Sequence, residues 1–241
     1  MESAIRLATE CDERLYIYWV KVDDAMRESF GSMFESLPNG VRVIDKQKYS
    51  GWVRHLFSWK NPFRYKPGEE DAFIKRCFSA RTNPLVAYTN CESFFPANNG
   101  GYDYSWLRPL SDIQEKIENE FSTFDGASVG VHIRRTDNLW ATEHSTDEKF
   151  ISNIDKEIEN NTKVKIFLAS DDETVKVNFI KRYGKRIHTR STIPRHTQRG
   201  VADAVVDLFL LSKMKKIYGS YRSSFSAVAS RIGGANLIVV S

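Results

Sequence analysis

From Ser111 onward the chain alternates between short apolar runs and longer stretches of helical spacing. Val129, Val131 and Ile133 are separated by Gly130 and His132, a period of two that predicts a buried strand. The run 164–169 predicts a second strand, and 187–189, 216–219 and 237–240 predict three more. Between them the spacing predicts helices over 146–158, 173–183, 200–214 and 223–231, after an earlier one that begins at Ser111 and carries Ile113 and Ile117 inward. Strands and helices of these lengths in alternation imply a parallel sheet with helices on both faces, an α/β fold.

The first half is less regular. Residues 3–10 read as a helix fragment, 15–20 as a buried aromatic and β-branched strand, and 41–44 as a short strand. Phe30, Met33, Phe34 and Leu37 fall at helical spacing and stop at the turn signal Pro38-Asn39-Gly40. Residues 46–70 carry Trp52, Phe57, Trp59 and Phe63 with no period and read as an irregular insertion, and 85–88 reads as a strand. Pro96 and Asn98-Asn99-Gly100-Gly101 read as a boundary loop between domains of 1–110 and 111–241.

Composition narrows the class. A chain of 241 residues that is 41% hydrophobic can bury a real core. The net charge of +4 is too mild to argue for nucleic acid and fits an anionic small ligand. Cys11, Cys77 and Cys91 have no paired spacing, so neither a disulfide framework nor a metal site is expected, which fits a reducing, cytoplasmic compartment. No run reaches the length of a membrane span, and Glu2, Arg6 and Glu10 interrupt any signal-like segment at the start.

Arg134 and Arg135 stand where the strand through Val131 should end, the place where open α/β sheets bind ligands. Arginine suits phosphate because its planar fork donates paired hydrogen bonds and keeps its charge. Neighbouring side chains there point to opposite faces, so one arginine should meet the ligand and the other brace a carboxylate. His132 shares a face with Arg134, and Asp137 follows. Ser170 reads as the cap of the next helix, with Glu173 in the capping-box position, beside Asp171 and Asp172. Adjacent aspartates on a turn diverge, and His132 has no second ligand at metal spacing, so no metal is expected. Asp203 and Asp207 lie four apart on an otherwise apolar helix. Asp207 needs a partner: a purine edge, or Arg199 or Arg231. The hydroxyl-rich junction 219–226 leads into a helix amino end, a phosphate-binding feature or an ordinary cap. Glu143 sits in a predicted loop, where a carboxylate could accept a proton from a hydroxyl. The basic residues between Lys181 and Arg199 read as a solvated face or an anionic-polymer surface.

The order of these blocks resembles the fucosyltransferase superfamily with the His-x-Arg-Arg-x-Asp element. The blocks are His132-Ile133-Arg134-Arg135-Thr136-Asp137, Ala169-Ser170-Asp171-Asp172, Arg199-Gly200 leading to Asp207-Leu208 and Leu211-Ser212, and Gly219-Ser220-Tyr221-Arg222-Ser223-Ser224-Phe225-Ser226. They are most similar to the α1,6- and nodulation-type branch, over residues 111–234. The resemblance implies a GT-B-like architecture of two Rossmann-like domains with parallel sheets, an acceptor-side N-terminal domain and a GDP-sugar-binding C-terminal domain. It implies GDP-fucose as donor, an inverting transfer with no metal or other cofactor, and a glycan or glycoconjugate acceptor. Carried over by position, Arg134 grips the departing β-phosphate, His132 and Asp207 read guanine, and Ser223 and Ser224 add phosphate contacts. Arg135 and Asp137 brace the site, Asp172 joins the donor side, and Glu143 stands one residue from the position of the branch's catalytic base. Members of the superfamily carry a strand and a Gly-x-Gly-Asn-Gln or Gly-Leu-Gly-Asn-Arg loop ahead of the first helix. Met1 here falls at that helix, so the N-terminal domain is expected to be incomplete. Two other classes compete: a GDP-sugar binder without turnover, and a polyanion or nucleic-acid binder using the basic 181–199 segment.

Overall fold

The structure, a computed structural model, describes residues 1–20, 28–38, 40–46, 68–79, 102–124, 129–136, 138–191 and 198–241. The chain divides into two compact units, Met1–Arg108 and Pro109–Ser241.

In the first unit, helix α1 (Glu2–Glu10) buries Ile5 and Leu7. Strand β1 (Tyr16–Val20) pairs in parallel with β2 (Arg42–Lys46). The helix expected through Phe30 and Leu37 is absent; a 3₁₀ turn, Phe30–Ser32, stands in its place. Phe30, Met33, Phe34 and Leu37 are nonetheless buried. Gly31, Ser32 and Ser36 are weak helix formers, and tertiary bonds claim the backbone instead. The Phe30 N–H donates to Asp45 Oδ1 at 3.0 Å, and Trp19 meets the Phe30 ring edge-on at 5.5 Å between centroids. Helix α2 (Glu70–Ser79) is an element that the sequence pattern does not predict; it has Glu70 and Asp71 in its first turn and a buried Phe73. Most of the 46–70 segment, the 85–88 strand and the 94–101 loop lie outside the described residues.

The second unit follows the alternation of its sequence. Its elements run α3 (Ser111–Phe121), β3 (Val129–Ile133), α4 (Leu139–His144), α5 (Asp147–Asn160), β4 (Ile166–Ser170) and α6 (Glu173–Tyr183). They continue with β5 (Ile187–His188), α7 (Gln198–Ser212), β6 (Lys216–Ser220), α8 (Ser224–Gly233) and β7 (Asn236–Val240). The strands form one parallel sheet in the order β5-β4-β3-β6-β7. Every residue of β3 and β4 is buried, as expected for strands covered on both faces. On one face Val131, Ile133, Ile166 and Leu168 pack with Phe150 and Ile154 of α5 and Val175 and Phe179 of α6. On the other, α7 rests on β4 and α8 on β6. Gly219 permits the α8 approach, since a Cβ there would collide with both side-chain atoms of Ser226.

Two local expectations fail. The cap of α6 is Asp172, whose Oδ1 accepts from Thr174 N at 2.7 Å, while Ser170 Oγ accepts from Asp172 N at 3.2 Å. A carboxylate outcompetes a hydroxyl two residues upstream because it lies one residue before the first helical turn and carries charge toward the helix dipole. Glu143 lies in α4 rather than in a loop, because Asn138 caps that helix, its side chain accepting from Ala141 N at 3.0 Å.

From β3 the chain steps outward to β4 and β5, then returns to lay β6 on the opposite side of β3. That reversal opens a crevice beyond the carboxyl ends of β3 and β6, where such sheets take ligands.

Candidate functional site

Asp171, just after β4, organises the end of β3. It accepts from Arg135 N at 2.8 Å and from the Thr136 hydroxyl at 2.7 Å, and it pairs with Arg134 Nε at 3.2 Å. Burial pushes this carboxylate up, but those hydrogen bonds and the Arg134 charge outweigh it and hold its pKa below the ordinary range. Arg134 N–H donates to Ser220 Oγ at 3.0 Å, tying the ends of β3 and β6 together. The Arg135 guanidinium turns away to Asp147 and to the Arg134 carbonyl. Both tandem arginines thus have a carboxylate: Arg135 turns to Asp147, and Arg134, held by Asp171, borders the crevice.

The other wall is the β6–α8 junction. Tyr221 N–H donates to the buried Ser145 hydroxyl at 2.7 Å, and that hydroxyl donates in turn to the Val240 carbonyl. Arg222 has φ +51°, a left-handed conformation that costs a side-chain-bearing residue about 1 kcal/mol. Ser223 is the N-cap of α8 but makes no side-chain capping bond; its hydroxyl lies 3.4 Å from His132 Nδ1. The amide groups of the first α8 turn are therefore not occupied by their own cap.

Between these walls lies a cavity of about 420 Å³. Arg134 and Asn138 line it from the β3 side, residues 222–225 from the junction, Leu208 from α7 and Val228 from α8. A guanidinium opposite the amino end of a ten-residue helix is an arrangement for binding an anion.

Asp207 sits next to the cavity residue Leu208 but turns into a charged cluster. Arg190, which follows β5, meets Glu120 of α3 at 3.0 Å, Asp203 at 2.6 Å and Asp207 at 3.4 Å. Asp207 is therefore paired with Arg190, an arginine other than the two named from sequence. Lys176 is fully buried beneath the cluster and donates to the Arg190 carbonyl at 2.6 Å. Burial pushes the Asp207 carboxyl up to about 6, although Arg190 and Lys176 pull it down.

Of the residues singled out in the sequence, Arg134, Ser223 and Ser224 meet at the cavity. His132 is buried behind it, its ring 4.8 Å from that of Phe225. Asp172 is a helix cap, Glu143 is exposed on α4, and neither lines the cavity. Asp137 lies outside the described residues. The sequence gives no individual signal for Asn138, Arg190 or Arg222: Arg222 lies inside the 219–226 block, and Arg190 lies within the basic 181–199 segment. Among the described residues no group of three or more His, Cys, Asp or Glu is placed to hold a metal, and no helix is long and apolar enough to cross a membrane.

No protein-family model matches the sequence, and no curated protein matches it. Solved structures do. NodZ α1,6-fucosyltransferase co-crystallised with GDP superposes with a TM-score of 0.61 at 19% identity, over 95% of this chain and 85% of that one. Fucosyltransferase NodZ from Bradyrhizobium gives 0.59 at 17%, over 95% and 86%. POFUT1 in complex with GDP-fucose gives 0.59 at 12%, over 99% and 92%. The chain has the GT-B-like α/β fold of these fucosyltransferases.

Proposed function

We propose that this protein is a glycosyltransferase that binds GDP-fucose in the C-terminal unit and moves fucose, with inversion and without a metal, to a hydroxyl of a glycan or glycoconjugate. The observation that carries this is the cavity where Arg134 faces the open amino end of α8 and the serines 223 and 224, in a fold shared with structures holding GDP and GDP-fucose.

The diphosphate lies against Arg134, Ser223, Ser224 and the first amides of α8. As the bond from fucose to the diphosphate breaks, negative charge grows on the leaving oxygen. Fixed donors aimed at that oxygen supply the main stabilisation, and Asp171 keeps Arg134 aimed. Guanine lies toward Asp207 and His132, with Asp207 exchanging part of its contact with Arg190 for the base. Glu143, exposed on the helix whose cap Asn138 lines the cavity, takes the proton of the acceptor hydroxyl. No step calls on a redox group, and the protein is assigned to a reducing cytoplasm.

Titration calorimetry with GDP, UDP and ADP, followed by GDP release from GDP-fucose, tests this reading. GDP should bind in clear preference to the others. Arg134→Ala should cut turnover about 100-fold or more with an unchanged circular dichroism spectrum. Absence of nucleotide binding, or near-normal turnover in Arg134→Ala, overturns it.

A further inference from the structure

Arg222 carries a charge that the donor site, as assigned above, does not use. Arg222 lines the cavity together with Arg134. The two arginines at the end of β3 each have a carboxylate, Asp171 for Arg134 and Asp147 for Arg135. Among the described residues none pairs with Arg222. Two rings hold it instead: its guanidinium carbon lies 5.1 Å from the centroid of Trp140 and 5.6 Å from that of Tyr221. His144 stacks on Tyr221 at 4.8 Å and packs against Trp140 at 5.7 Å, so the clamp is itself supported. An aromatic face attracts a cation without neutralising it.

The backbone is fixed in the same place. Tyr221 N is tied to Ser145, the Arg222 carbonyl accepts from Asn138 Nδ2 at 3.4 Å, and Ser223 N closes a turn onto the Ser220 carbonyl at 3.2 Å. These bonds force Arg222 into its left-handed conformation at the cavity lip. A long, flexible side chain is thereby held in one place with its charge intact, which lowers the entropy lost on binding an anion.

We propose that Arg222 is a second cation for the donor's diphosphate, and that it sets the preference for a nucleoside diphosphate over a monophosphate. Arg134 enters the cavity already compensated by Asp171, so Arg222 supplies the net positive charge there. The second phosphate brings the added negative charge that this cation reads. The inference rests on the donor reading above.

The test is calorimetric titration of the full chain with GDP and with GMP. Arg222→Gly is the variant of choice, because glycine accepts a φ of +51° and keeps the turn. It should weaken GDP about 10- to 100-fold and GMP about 3-fold or less, collapsing the ratio between them. Arg222→Lys should recover part of the loss. Trp140→Ala, which removes one side of the clamp at an exposed position, should weaken GDP about 3- to 10-fold. Wild-type GDP affinity in Arg222→Gly overturns the inference, and so does an equal loss for both nucleotides, which would mark a purely structural role. Failure of the wild-type chain to bind GDP at all overturns the donor reading and this inference together.

Discussion

Replacing Asp207 by asparagine should make the protein more stable at neutral pH and less able to bind GDP. The carboxyl titrates at about 6 in the folded chain, against an ordinary value of 3.8. At about 1.4 kcal/mol per pH unit, that interval amounts to about 3 kcal/mol. Because the folded value is the higher one, the stabilisation is complete below pH 3.8 and is lost as pH rises through about 6. Asparagine has no such dependence. It gives up a long contact to Arg190, which keeps Glu120 and Asp203 as partners. The other ionisable groups facing the site (Glu120 of α3, His188 of β5, Lys176 of α6, Asp203 of α7) are present in both proteins and cancel to first order. Urea unfolding of both proteins from pH 4 to 7.5 should show the Asp207→Asn advantage growing by about 2–3 kcal/mol across that range, while GDP affinity falls about 10-fold or more. A difference that stays flat, or that shrinks as pH rises, refutes the reasoning.

Three further perturbations follow from the geometry. Ser145→Ala strands the Tyr221 amide and the Val240 carbonyl, so chemical denaturation should register a loss of about 2 kcal/mol. Gly219→Ala drives a Cβ into Ser226; thermal melts should report a loss of about 1–3 kcal/mol, and GDP affinity should fall because the amino end of α8 is displaced. Asp171→Asn removes the charge that holds Arg134 and should cost about 1–2 kcal/mol at pH 7. Since the Asp171 pKa is depressed on folding, that cost belongs to the range above its unfolded value and should vanish as pH falls through the folded one.

The second unit is legible because its elements obey their periods. The spacing predicts the helix Glu173–Tyr183 with the bounds it has, β3 alternates at a period of two, and β4 and β7 each carry a continuous apolar run. Helices and strands declare themselves locally, so the pattern alone puts the Arg134 and 219–226 segments at strand ends. Phe30 to Leu37 defeats the same reasoning, because burial there imitates helical spacing while the backbone is claimed by Asp45 and by the Arg108 carbonyl. The Arg190–Asp207 pair left no trace in the pattern. Seventeen residues separate the two, and a basic residue among other basic residues gives no sign that it turns inward. Arg222 is silent for a different reason: it sits in a left-handed turn that no side-chain pattern reports.

The pairing of β3 with β6 bears on how a ligand would act on the whole unit. Arg134 and Ser220 are 86 positions apart, and His132 and Ser223 are 91 apart. The cavity therefore exists only when two distant stretches of chain have docked, and that docking closes a long loop at an entropic cost. Anything seated between Arg134 and the start of α8 works as a removable cross-link on that loop. At a hundred times its dissociation constant it adds about 2.7 kcal/mol to the docked state. Amide hydrogens of the central strands should then exchange more slowly in its presence, and donor occupancy becomes a lever on the lifetime of the folded C-terminal unit.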